Sequence, residues 1–480
     1  MEFKEVVRRL DYKEIIGEFD REIKGVCADS RKVKEGDLFI CLKGKVNGAD
    51  YIPEIQNKIC GVVTEEKLSV NLPQIIVKNA RIAYAVITAS IYGNPQDKLK
   101  IIGVVGTNGK TSCCYLLNRI FRLAGKKTAM LTTVEYEICG VRSPSILTTP
   151  DPDVFFPLLA QMVEKKVEYL FMEISAHAIY WNKLAGVRFK ATIFTNCTPD
   201  HLDFFKSFRE YSEIKKSWFS IANTNLAVLN TDDKLGREIS KDCNCPFLTY
   251  GIETPGDVFA IDINYHENGT SFIVNMYDIV KRVNSGYFGK FNVYNMLAVC
   301  VVAGYFGIEL SSILAVFDNA RPIPGRFNLF TTQKGVKVII DYAHTPDGLE
   351  KTLQTARSIT KGKLITVFGC GGNRDREKRK AMGEIASRLS DYLVITNDNP
   401  RDEEPEEIAH GIEAGVLQEE VNYSIVLDRT EAITQAFQGA SKGDTLLIAG
   451  KGSENYIEVK GEKRPFSDYD IVKKLNGGSL

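Results

Sequence analysis

The stretch IIGVVGTNGKTSCCYLLNRIF, from Ile101 to Phe121, places a glycine-rich loop between a short apolar strand and an amphipathic helix. Glycines let backbone N–H groups converge on a phosphate, and the N-terminus of the following helix adds its dipole. Lys110 would neutralise the outer phosphates of a nucleoside triphosphate, while the Thr111 hydroxyl would face Mg²⁺. A full P-loop has glycine where this chain has Val104, so the loop is a shorter variant. We predict a triphosphate site formed by Gly106, Thr107, Asn108, Gly109, Lys110, Thr111 and Ser112.

Strands and helices alternate along the chain from Leu99 onward. Short apolar segments such as KTAMLTTV, VEYLFMEIS and KATIFTN follow it, and VKVIIDYAH, KLITVFGCGG and DYLVITNDNP repeat the texture later in the chain. This alternation predicts doubly wound, mainly parallel sheets. The segment FLTYGIETPGDVFAIDINYHENGTSFIVNMYD is richer in β-branched and turn residues, so we expect a few antiparallel strands there.

The length of the chain calls for several cores. At 480 residues it suggests about three domains of ~150 residues each. We predict an α/β protein with a small N-terminal α/β domain (1–97), a central P-loop domain (98–325) and a Rossmann-like C-terminal domain (326–480). The second boundary falls in the segment ARPIPGR, where two prolines and a glycine interrupt regular structure.

Composition argues against several classes of partner. Lys plus Arg and Asp plus Glu each total 61, so no basic field favours nucleic acid or an anionic membrane. The cysteines include no Cys-x-x-Cys pair, which indicates reduced thiols and not a disulfide framework or a zinc site. No apolar run approaches the roughly 18–20 residues that span a bilayer, and the charged N-terminus lacks a signal-peptide core. We expect a cytoplasmic monomer without nucleic-acid or membrane partners.

Glycines and polar residues follow the ends of the predicted strands in both larger domains. They are Gly106, Glu173 and Asn196 in the central domain, and Asp341, Gly369, Asp398 and Gly450 in the last. Open α/β sheets bind ligands beyond the carboxyl ends of their strands. Two such crevices that face each other would form one large site. Glu173 and His201 lie beyond strands of the sheet that carries the phosphate loop, where they suit Mg²⁺ beside phosphates.

Several motifs in register resemble those of the Mur ligases, ATP-dependent amino-acid-adding enzymes of bacterial cell-wall synthesis. They are GTNGKT, MEISAHA, FTNCTPDHLD, YSEIKKSWF, GKFNVYN, IPGRF, DYAHTPDG and GCGGNRDREKR. The resemblance runs from about Asp29 to Asp468, and DNPR and GKGSE narrow it to members that add the third residue of the stem peptide. It implies that ATP phosphorylates a carboxylate of UDP-N-acetylmuramoyl-L-alanyl-D-glutamate and that an amine then attacks the acyl phosphate.

The resemblance also implies roles for individual residues at the ATP site. Lys110, Glu173, His201 and Lys215 would be the catalytic residues. One Mg²⁺ would lie on Thr111 and Glu173, and a second near His201. Asn292 and Asn295 would contact adenine, while Arg326 and Asp341 would hold the γ-phosphate region and the ribose.

Lys215 is the residue with the strangest implied chemistry. In the family the matching lysine carries a carbamate formed from CO₂ (N6-carboxylysine), which binds the second metal ion. Carbamylation needs a neutral amine, so we expect a desolvated site that depresses the lysine pKa. We place Lys215 at the start of a helix whose apolar face includes Tyr211, Ile214 and Trp218. The competing interpretations are a solvated lysine and a shift by one position to Lys216.

The nucleotide-sugar substrate is expected on the first domain and the central crevice. By resemblance its contacts are Ser30, Thr148, Thr149, Ser175 and Lys183. The chain departs from the family where Ala49 replaces a histidine and where Trp181 and Lys183 replace glutamine and arginine. Lysine keeps the charge but lacks the bidentate fork of arginine.

The turn Asp398-Asn399-Pro400-Arg401 carries an anion, an amide and a cation, the complement of an amino acid's α-carbon. We predict that it binds the distal zwitterion of meso-2,6-diaminopimelate, with Arg374 and Arg401 on the carboxylate. The full predicted set is Arg374, Asp398, Asn399, Pro400, Arg401, Gly450 and Glu454. L-lysine lacks that carboxylate and would leave a buried charge unpaired, at a cost of roughly 1–3 kcal/mol or more. The competing interpretation is a proline-set turn that caps a helix starting near Glu403.

Other functions remain as alternatives. A lysine-adding ligase, a folylpolyglutamate synthetase or a D-alanyl-D-alanine-adding enzyme would share the reaction class. A non-catalytic nucleotide switch is the alternative from another class, although such a switch has no use for a second metal site.

Overall fold

The N-terminal part of the chain forms a small sheet flanked by helices in the computed structural model, which describes residues 2–19, 22–44, 46–277, 279–417 and 421–478. The strands lie in the order β1-β5-β4-β3-β2, and β1 alone runs antiparallel to its neighbour within these residues. The elements are α1 (Phe3–Val7), β1 (Tyr12–Ile16), β2 (Gly25–Cys27), β3 (Asp37–Ile40), α2 (Ile52–Ile55), β4 (Ile59–Thr64), β5 (Gln74–Val77) and α3 (Ala80–Ile91). Short 3₁₀ turns occupy Ser30–Lys32, Gly48–Tyr51 and Pro95–Lys98.

The central part is built on one large sheet. Its elements are β6 (Lys100–Val105), α4 (Lys110–Leu123), β7 (Thr128–Leu131), β8 (Glu135–Ile138), β9 (Val141–Pro144), α5 (Pro152–Glu164), β10 (Tyr169–Ile174), α6 (Ala176–Tyr180), β11 (Ala191–Phe194), α7 (Phe208–Ser217), β12 (Ala227–Asn230), α8 (Lys234–Asp242), β13 (Phe247–Gly251), β14 (Val258–His266), β15 (Gly269–Met276), β16 (Ile279–Ser285), α9 (Lys290–Tyr305) and α10 (Leu310–Asp318). Among the described residues the order is β16-β15-β14-β13-β12-β11-β6-β10-β7-β8-β9.

The phosphate loop lies at the centre of this sheet. β6 pairs in parallel with β10 on one side and β11 on the other, so their carboxyl ends meet at one edge. β14, β15 and β16 form an antiparallel meander in the segment where inserted antiparallel strands are expected. Apolar clusters cover both faces, one around α4 and α9 and the other around α5. The apolar run in α9 is a buried core helix, and no helix in the described part of the chain could cross a membrane.

The C-terminal part repeats the alternation on a smaller sheet. Its elements are β17 (Asn328–Thr331), β18 (Lys337–Asp341), α11 (Pro346–Ile359), β19 (Leu364–Phe368), α12 (Glu377–Leu389), β20 (Tyr392–Ile395), α13 (Pro405–Glu413), β21 (Asn422–Ile425), α14 (Arg429–Gly439), β22 (Thr445–Ala449), β23 (Tyr456–Val459), β24 (Glu462–Pro465) and α15 (Asp468–Leu475). The strand order is β17-β18-β22-β19-β20-β21, with β17 antiparallel at the edge, while β23 and β24 form a separate hairpin.

The segment between α10 and β17 joins the two larger sheets. Arg119 of α4 donates hydrogen bonds to the backbone carbonyls of Arg321 and Pro322. The helix that follows the phosphate loop therefore contacts this connection directly.

Candidate active site

Two glycines give the phosphate loop its shape. Gly109 has φ +88°, and a Cβ there would lie 2.5 Å from the side-chain oxygen of Asn295. A Cβ on Gly106 would collide with the Thr195 hydroxyl. The strand end beside the loop fixes it further, because the Asn196 side chain accepts a hydrogen bond from the backbone of Asn108 at 3.0 Å. The loop is therefore a tightly packed cradle ahead of α4.

Lys110 folds back over this cradle. Its ammonium donates to the carbonyls of Gly106 at 2.8 Å and Thr107 at 2.7 Å. Burial is the largest influence on its pKa, which lies below the ordinary lysine value. Ser112 is buried in the first turn of α4. An anion bound in the cradle would take the place of these carbonyls as the partner of the Lys110 ammonium.

A carboxylate lies beside the first turn of α4. Glu173, at the end of β10 and 1% exposed, accepts a hydrogen bond from the Thr111 hydroxyl at 2.8 Å. The backbone N–H and hydroxyl of Thr133 also donate to Glu173, at 2.9 and 3.1 Å. A hydroxyl and a carboxylate in contact form an oxygen-donor pair of the kind that Mg²⁺ prefers.

The residues expected to contact the nucleotide-sugar substrate continue from this carboxylate. Thr148 accepts a hydrogen bond from the Thr133 hydroxyl at 3.0 Å. Thr149 donates to the backbone carbonyl of Glu173 at 2.9 Å and accepts from the backbone of Ser175 at 3.0 Å. Thr148, Thr149 and Ser175 thus belong to one hydrogen-bonded network with Glu173, the predicted metal ligand.

His201 follows β11 with a left-handed backbone at φ +57°. Its backbone N–H donates to Asp200 at 2.9 Å, and its imidazole lies near that of His177, with ring centroids 4.9 Å apart. Burial lowers the pKa of His201 to about 4, so the ring is neutral at physiological pH. A neutral imidazole is the form that binds metal ions.

Lys215 is buried, with 1% of its surface exposed, and it lies in the last turn of α7 and not at its start as expected. Ser207 is the N-cap of α7 and accepts from the backbone N–H of Glu210, while the Glu210 carboxylate accepts from the backbone N–H of Lys206. The helix therefore begins at Phe208, earlier than predicted. The Lys215 amine donates to the Thr107 hydroxyl at 2.7 Å and lies 3.9 Å from the centre of the Tyr211 ring. Burial lowers its pKa to about 7.

Lys216 occupies a different environment. Its ammonium pairs with Asp242 at 2.6 Å, and this partner raises its pKa. In the described part of the chain no carboxylate lies within ion-pair distance of Lys215. The two neighbouring lysines therefore differ in protonation, and Lys215 is the one with an available neutral amine.

Residues of the C-terminal part close over the phosphate loop. The guanidinium of Arg326 donates to the Thr111 hydroxyl at 2.9 Å, and Asp347 accepts from the Asn108 amide at 3.1 Å. Asp341 is buried at the end of β18, where it accepts from the backbone of Phe327 at 2.7 Å.

The two predicted adenine contacts lie on α9 beside the loop. Asn295 donates to the side-chain oxygen of Asn292 at 3.1 Å, and both side chains are largely buried. The close approach of Asn295 to Gly109 brings this pair against the phosphate cradle.

The amide of Asn399 lies in a buried polar cluster. It donates to Glu454 at 2.9 Å, and the ammonium of Lys451 donates to Asn399 and Glu454 at 3.0 Å each. Lys451 is fully buried and was not singled out in the sequence, although it lies within the quoted GKGSE motif. Asn399 and Glu454, which were expected to bind the ammonium of the substrate, therefore already contact the ammonium of Lys451.

Asp398 and Gly450 follow β20 and β22, the strands on either side of β19, and approach each other beyond the carboxyl ends of these strands. A Cβ on Gly450, which has φ +111°, would lie 2.6 Å from a carboxylate oxygen of Asp398. Arg429, paired with Asp468 at 2.8 Å and fully buried, donates to the carbonyl of Asn397 at 3.0 Å. This pair supports the strand end that carries the DNPR turn.

Arg401 has a left-handed backbone at φ +54° and follows the buried Pro400. Its guanidinium donates to the carbonyl of Gly372 at 2.7 Å and to Glu458 at 3.2 Å. A Cβ on Gly371 would lie 3.0 Å from Arg401 and 3.6 Å from Arg374, so both arginines flank one glycine. The helix that follows begins at Pro405, with Glu404 at its N-cap.

The remaining residues predicted to contact the nucleotide-sugar substrate, Ser30 and Lys183, lie outside this cluster. Ser30 opens a 3₁₀ turn capped by Asp29. Lys183 pairs with Asp151 at 2.8 Å, and the guanidinium of Arg81 stacks over Trp181 at 3.8 Å. Arg81 belongs to α3 and Trp181 follows α6, so this stack, which the sequence did not reveal, joins the first domain to the second.

The candidate metal ligands do not form a complete coordination shell from protein side chains alone. No three carboxylate, imidazole or thiol side chains converge on one point within the described ranges. Mg²⁺ is commonly held by one or two carboxylates together with substrate phosphates and water, so Thr111 and Glu173 fit a phosphate-dependent site. His201 and a carboxylated Lys215 would supply donors of suitable chemistry for a second site.

Three family models together cover most of the chain. The Mur ligase middle domain matches residues 104–303, the Mur ligase glutamate ligase domain matches 325–452, and the Mur ligase family catalytic domain matches 22–100. The chain belongs to the Mur ligase family. The predicted family and the predicted three-part α/β fold class are thus confirmed.

Individual relatives show to which particular ligases the chain is similar. A UDP-N-acetylmuramoyl-L-alanyl-D-glutamate–2,6-diaminopimelate ligase of Clostridium acetobutylicum is 39% identical over 99% of both chains. The protein of the same description from Bacillus velezensis is 37% identical over 94% of both. A solved structure of such a ligase has a TM-score of 0.69 at 27% identity over 99% of both chains. The Thermotoga maritima MurF ligase in complex with ADP shares the fold, with a TM-score of 0.60 at 20% identity, over 89% of this chain and 94% of that one.

Proposed function

We propose that the protein is an ATP-dependent ligase that adds meso-2,6-diaminopimelate to UDP-N-acetylmuramoyl-L-alanyl-D-glutamate. The full-length relatives that carry this description support it. The observation that carries it within the chain is the convergence of the phosphate loop, Glu173 and Arg326 around the Thr111 hydroxyl. It forms a triphosphate site to which two domains contribute.

The residues would act on ATP mainly by position and charge. Lys110 and Arg326 neutralise the transferring phosphoryl group, a role that phosphoryl transfer requires more than covalent chemistry. The substrate carboxylate is held beside Glu173 by Thr148, Thr149 and Ser175 and becomes the acyl phosphate. The amine of diaminopimelate then attacks the acyl carbon, and phosphate leaves. Closure of the domains excludes water that would hydrolyse the acyl phosphate.

Metal ions would complete the site. Thr111 and Glu173 would hold one Mg²⁺, and His201 with the carbamate of Lys215 a second. When bound, Mg²⁺ neutralises phosphate charge. The neutral, buried amine of Lys215 supports it over Lys216 as the residue that reacts with CO₂.

The amino-acid pocket would lie between the DNPR turn and the segment at Gly371. Arg401 and Arg374 receive the distal carboxylate, and Asp398 with Glu454 the distal ammonium. The Glu454 carboxylate already accepts a hydrogen bond from Lys451. Asp398 is therefore the carboxylate that would contribute more to binding the distal ammonium. The cytoplasmic location, the monomeric state and the absence of nucleic-acid and membrane partners stay predictions.

The decisive experiment compares amino acids. Phosphate release is measured with ATP, Mg²⁺ and the nucleotide-sugar dipeptide in the presence of meso-diaminopimelate or L-lysine. We expect release that depends on the amino acid and strongly favours diaminopimelate. Equal use of lysine would leave a ligase but refute the role of Arg401, and release without any amino acid would refute the ligase itself.

A further inference from the structure

Cys197 lies directly against Lys215. Its sulfur accepts a hydrogen bond from the lysine amine at 3.8 Å. Cys197 follows β11 and Lys215 ends α7, so the pair joins two elements that are separate in the chain. The backbone N–H of Cys197 donates to Asp233 at 2.9 Å, which fixes the position of the thiol-bearing residue.

The surroundings of the pair leave the amine and the sulfur facing each other. Lys215 is 1% exposed, and among the described residues its amine donates only to the Thr107 hydroxyl and the Cys197 sulfur. Most cysteines of the chain are buried, whereas Cys197 is half-buried and so within reach of a small oxidant. No hydrogen bond joins its sulfur to another thiol in the described part of the chain.

We propose that Cys197 and Lys215 form a reversible sulfur–nitrogen crosslink when a hydroperoxide oxidises the thiol. In the first step the sulfur of the Cys197 thiol attacks the peroxide, the O–O bond breaks, the thiol proton passes to the departing hydroxide, and a sulfenic acid and one water form. In the second step the lysine amine attacks that sulfur, the S–O bond breaks, and water leaves with one amine proton. Sulfur has been oxidised, peroxide has been reduced to water, and the two side chains together have lost two hydrogen atoms.

Geometry favours this product over further oxidation. A sulfenic acid condenses with a nearby thiol or nitrogen when one is in contact, and otherwise proceeds to the sulfinic acid. Here the nitrogen in contact is an amine held at the sulfur by the surrounding fold. A thiol reductant would cleave the S–N bond and restore both side chains.

The crosslink would also switch off catalysis, a consequence that rests on the proposed function. A lysine bound to sulfur has no free amine for CO₂ and is drawn away from Thr107 of the phosphate loop. The bond itself depends only on the contact between the two side chains and can be measured without any activity.

Peptide mapping tests the bond. The full-length protein is reduced, treated with hydrogen peroxide and digested with trypsin without reductant. We expect peptide 191–206 joined to peptide 210–216, at the summed mass less two hydrogens, because modified Lys215 blocks cleavage at that position. The species should disappear after dithiothreitol and be absent from C197S and K215R, but persist in the matched control C139S, which removes an exposed thiol.

The outcomes separate this inference from the proposed function. Absence of the linked peptide in the wild-type protein, whether or not Cys197 carries oxygen, overturns the crosslink. A linked peptide with full ligase activity retained would uphold the crosslink and refute the role of Lys215. We expect activity to fall in proportion to the linked fraction, to return with dithiothreitol, and to resist peroxide in C197S.

Discussion

The guanidinium of Arg326 donates a hydrogen bond of 2.9 Å to the hydroxyl of Thr111. Arg326 lies between α10 and β17, ahead of the C-terminal sheet, whereas Thr111 belongs to the first turn after the phosphate loop. Arg326 also lies over the Tyr342 ring at 4.5 Å and donates to the carbonyl of Gly325 at 3.0 Å. These contacts hold the guanidinium of Arg326 beside the proposed triphosphate site, on the side of the C-terminal part.

Replacement of Arg326 should therefore impair catalysis more than folding. We expect R326A to lower kcat/KM for ATP about 10²–10³-fold, as loss of a preorganised charge commonly does. Steady-state phosphate release measures this, with R321A as the control because the Arg321 side chain is exposed on the same connection. An equal loss in both variants would assign the effect to the connection and not to charge.

The alternation of strands and helices was enough to predict the fold, because a parallel sheet needs buried strands with crossover helices between them. The same rule placed Gly106, Glu173 and Asp398 at strand ends. Lys451 and Glu458 could not be found this way, since they act through contacts with Asn399 and Arg401 made far away in the chain. Such contacts leave no local periodicity.

The helix that carries Lys215 shows a signal that was available. Ser207 and Glu210 have the spacing of a capping box, which marks the helix start and would have placed Lys215 in the last turn. The pairing of Lys216 with Asp242 depends on tertiary contact and could not be predicted from spacing.

Lys215 should cost the protein stability, so K215M should stabilise it. The pKa of Lys215 is lowered from 10.5 to about 7 by burial. Between these values the unfolded chain binds more protons than the folded one, so wild-type stability rises with pH through that window. Below about pH 7 the penalty is complete, and we expect K215M to be more stable by about 1–3 kcal/mol.

The pH dependence distinguishes this mechanism from general repacking. Chemical denaturation in CO₂-free buffer should show the K215M advantage shrinking as pH rises from about 7 toward about 10. K216M is the matched control, because the pKa of Lys216 is raised by its ion pair. An advantage of K215M that does not vary with pH would contradict the buried-amine explanation. K215M should lack ligase activity under all these conditions.

The Arg429–Asp468 pair should be essential to the C-terminal domain. Both side chains are fully buried, and Arg429 also donates to the carbonyls of Asn397 and Ala449. R429A would leave the Asp468 carboxylate buried and unpaired, so we expect a loss of about 3–5 kcal/mol in the free energy of unfolding. Thermal denaturation measures it, with R464A as the control, since Arg464 forms an exposed pair with Glu462. A similar small loss in both variants would contradict this expectation.

Glu458 should set the orientation of Arg401 and with it the choice of amino acid. Its carboxylate accepts from the Nε of Arg401 at 3.2 Å while the Gly372 carbonyl accepts from Nη1 at 2.7 Å. In the proposed function, Nη2 of the guanidinium is the nitrogen that binds the substrate carboxylate. E458A would release one of these restraints, so we expect KM for diaminopimelate to rise about tenfold with little change in kcat, as for loss of a charged hydrogen bond.

In E458A the preference for diaminopimelate over lysine should also fall, because lysine has no distal carboxylate for Arg401 to bind. E458Q keeps an acceptor oxygen and should recover most of the preference, whereas E462A, on the exposed strand of the same hairpin, should behave as the wild type. The measurement is the ratio of kcat/KM for the two amino acids in each variant. An equal loss with both substrates would show that Glu458 supports the hairpin alone, since a change in one carboxylate contact must alter the ratio.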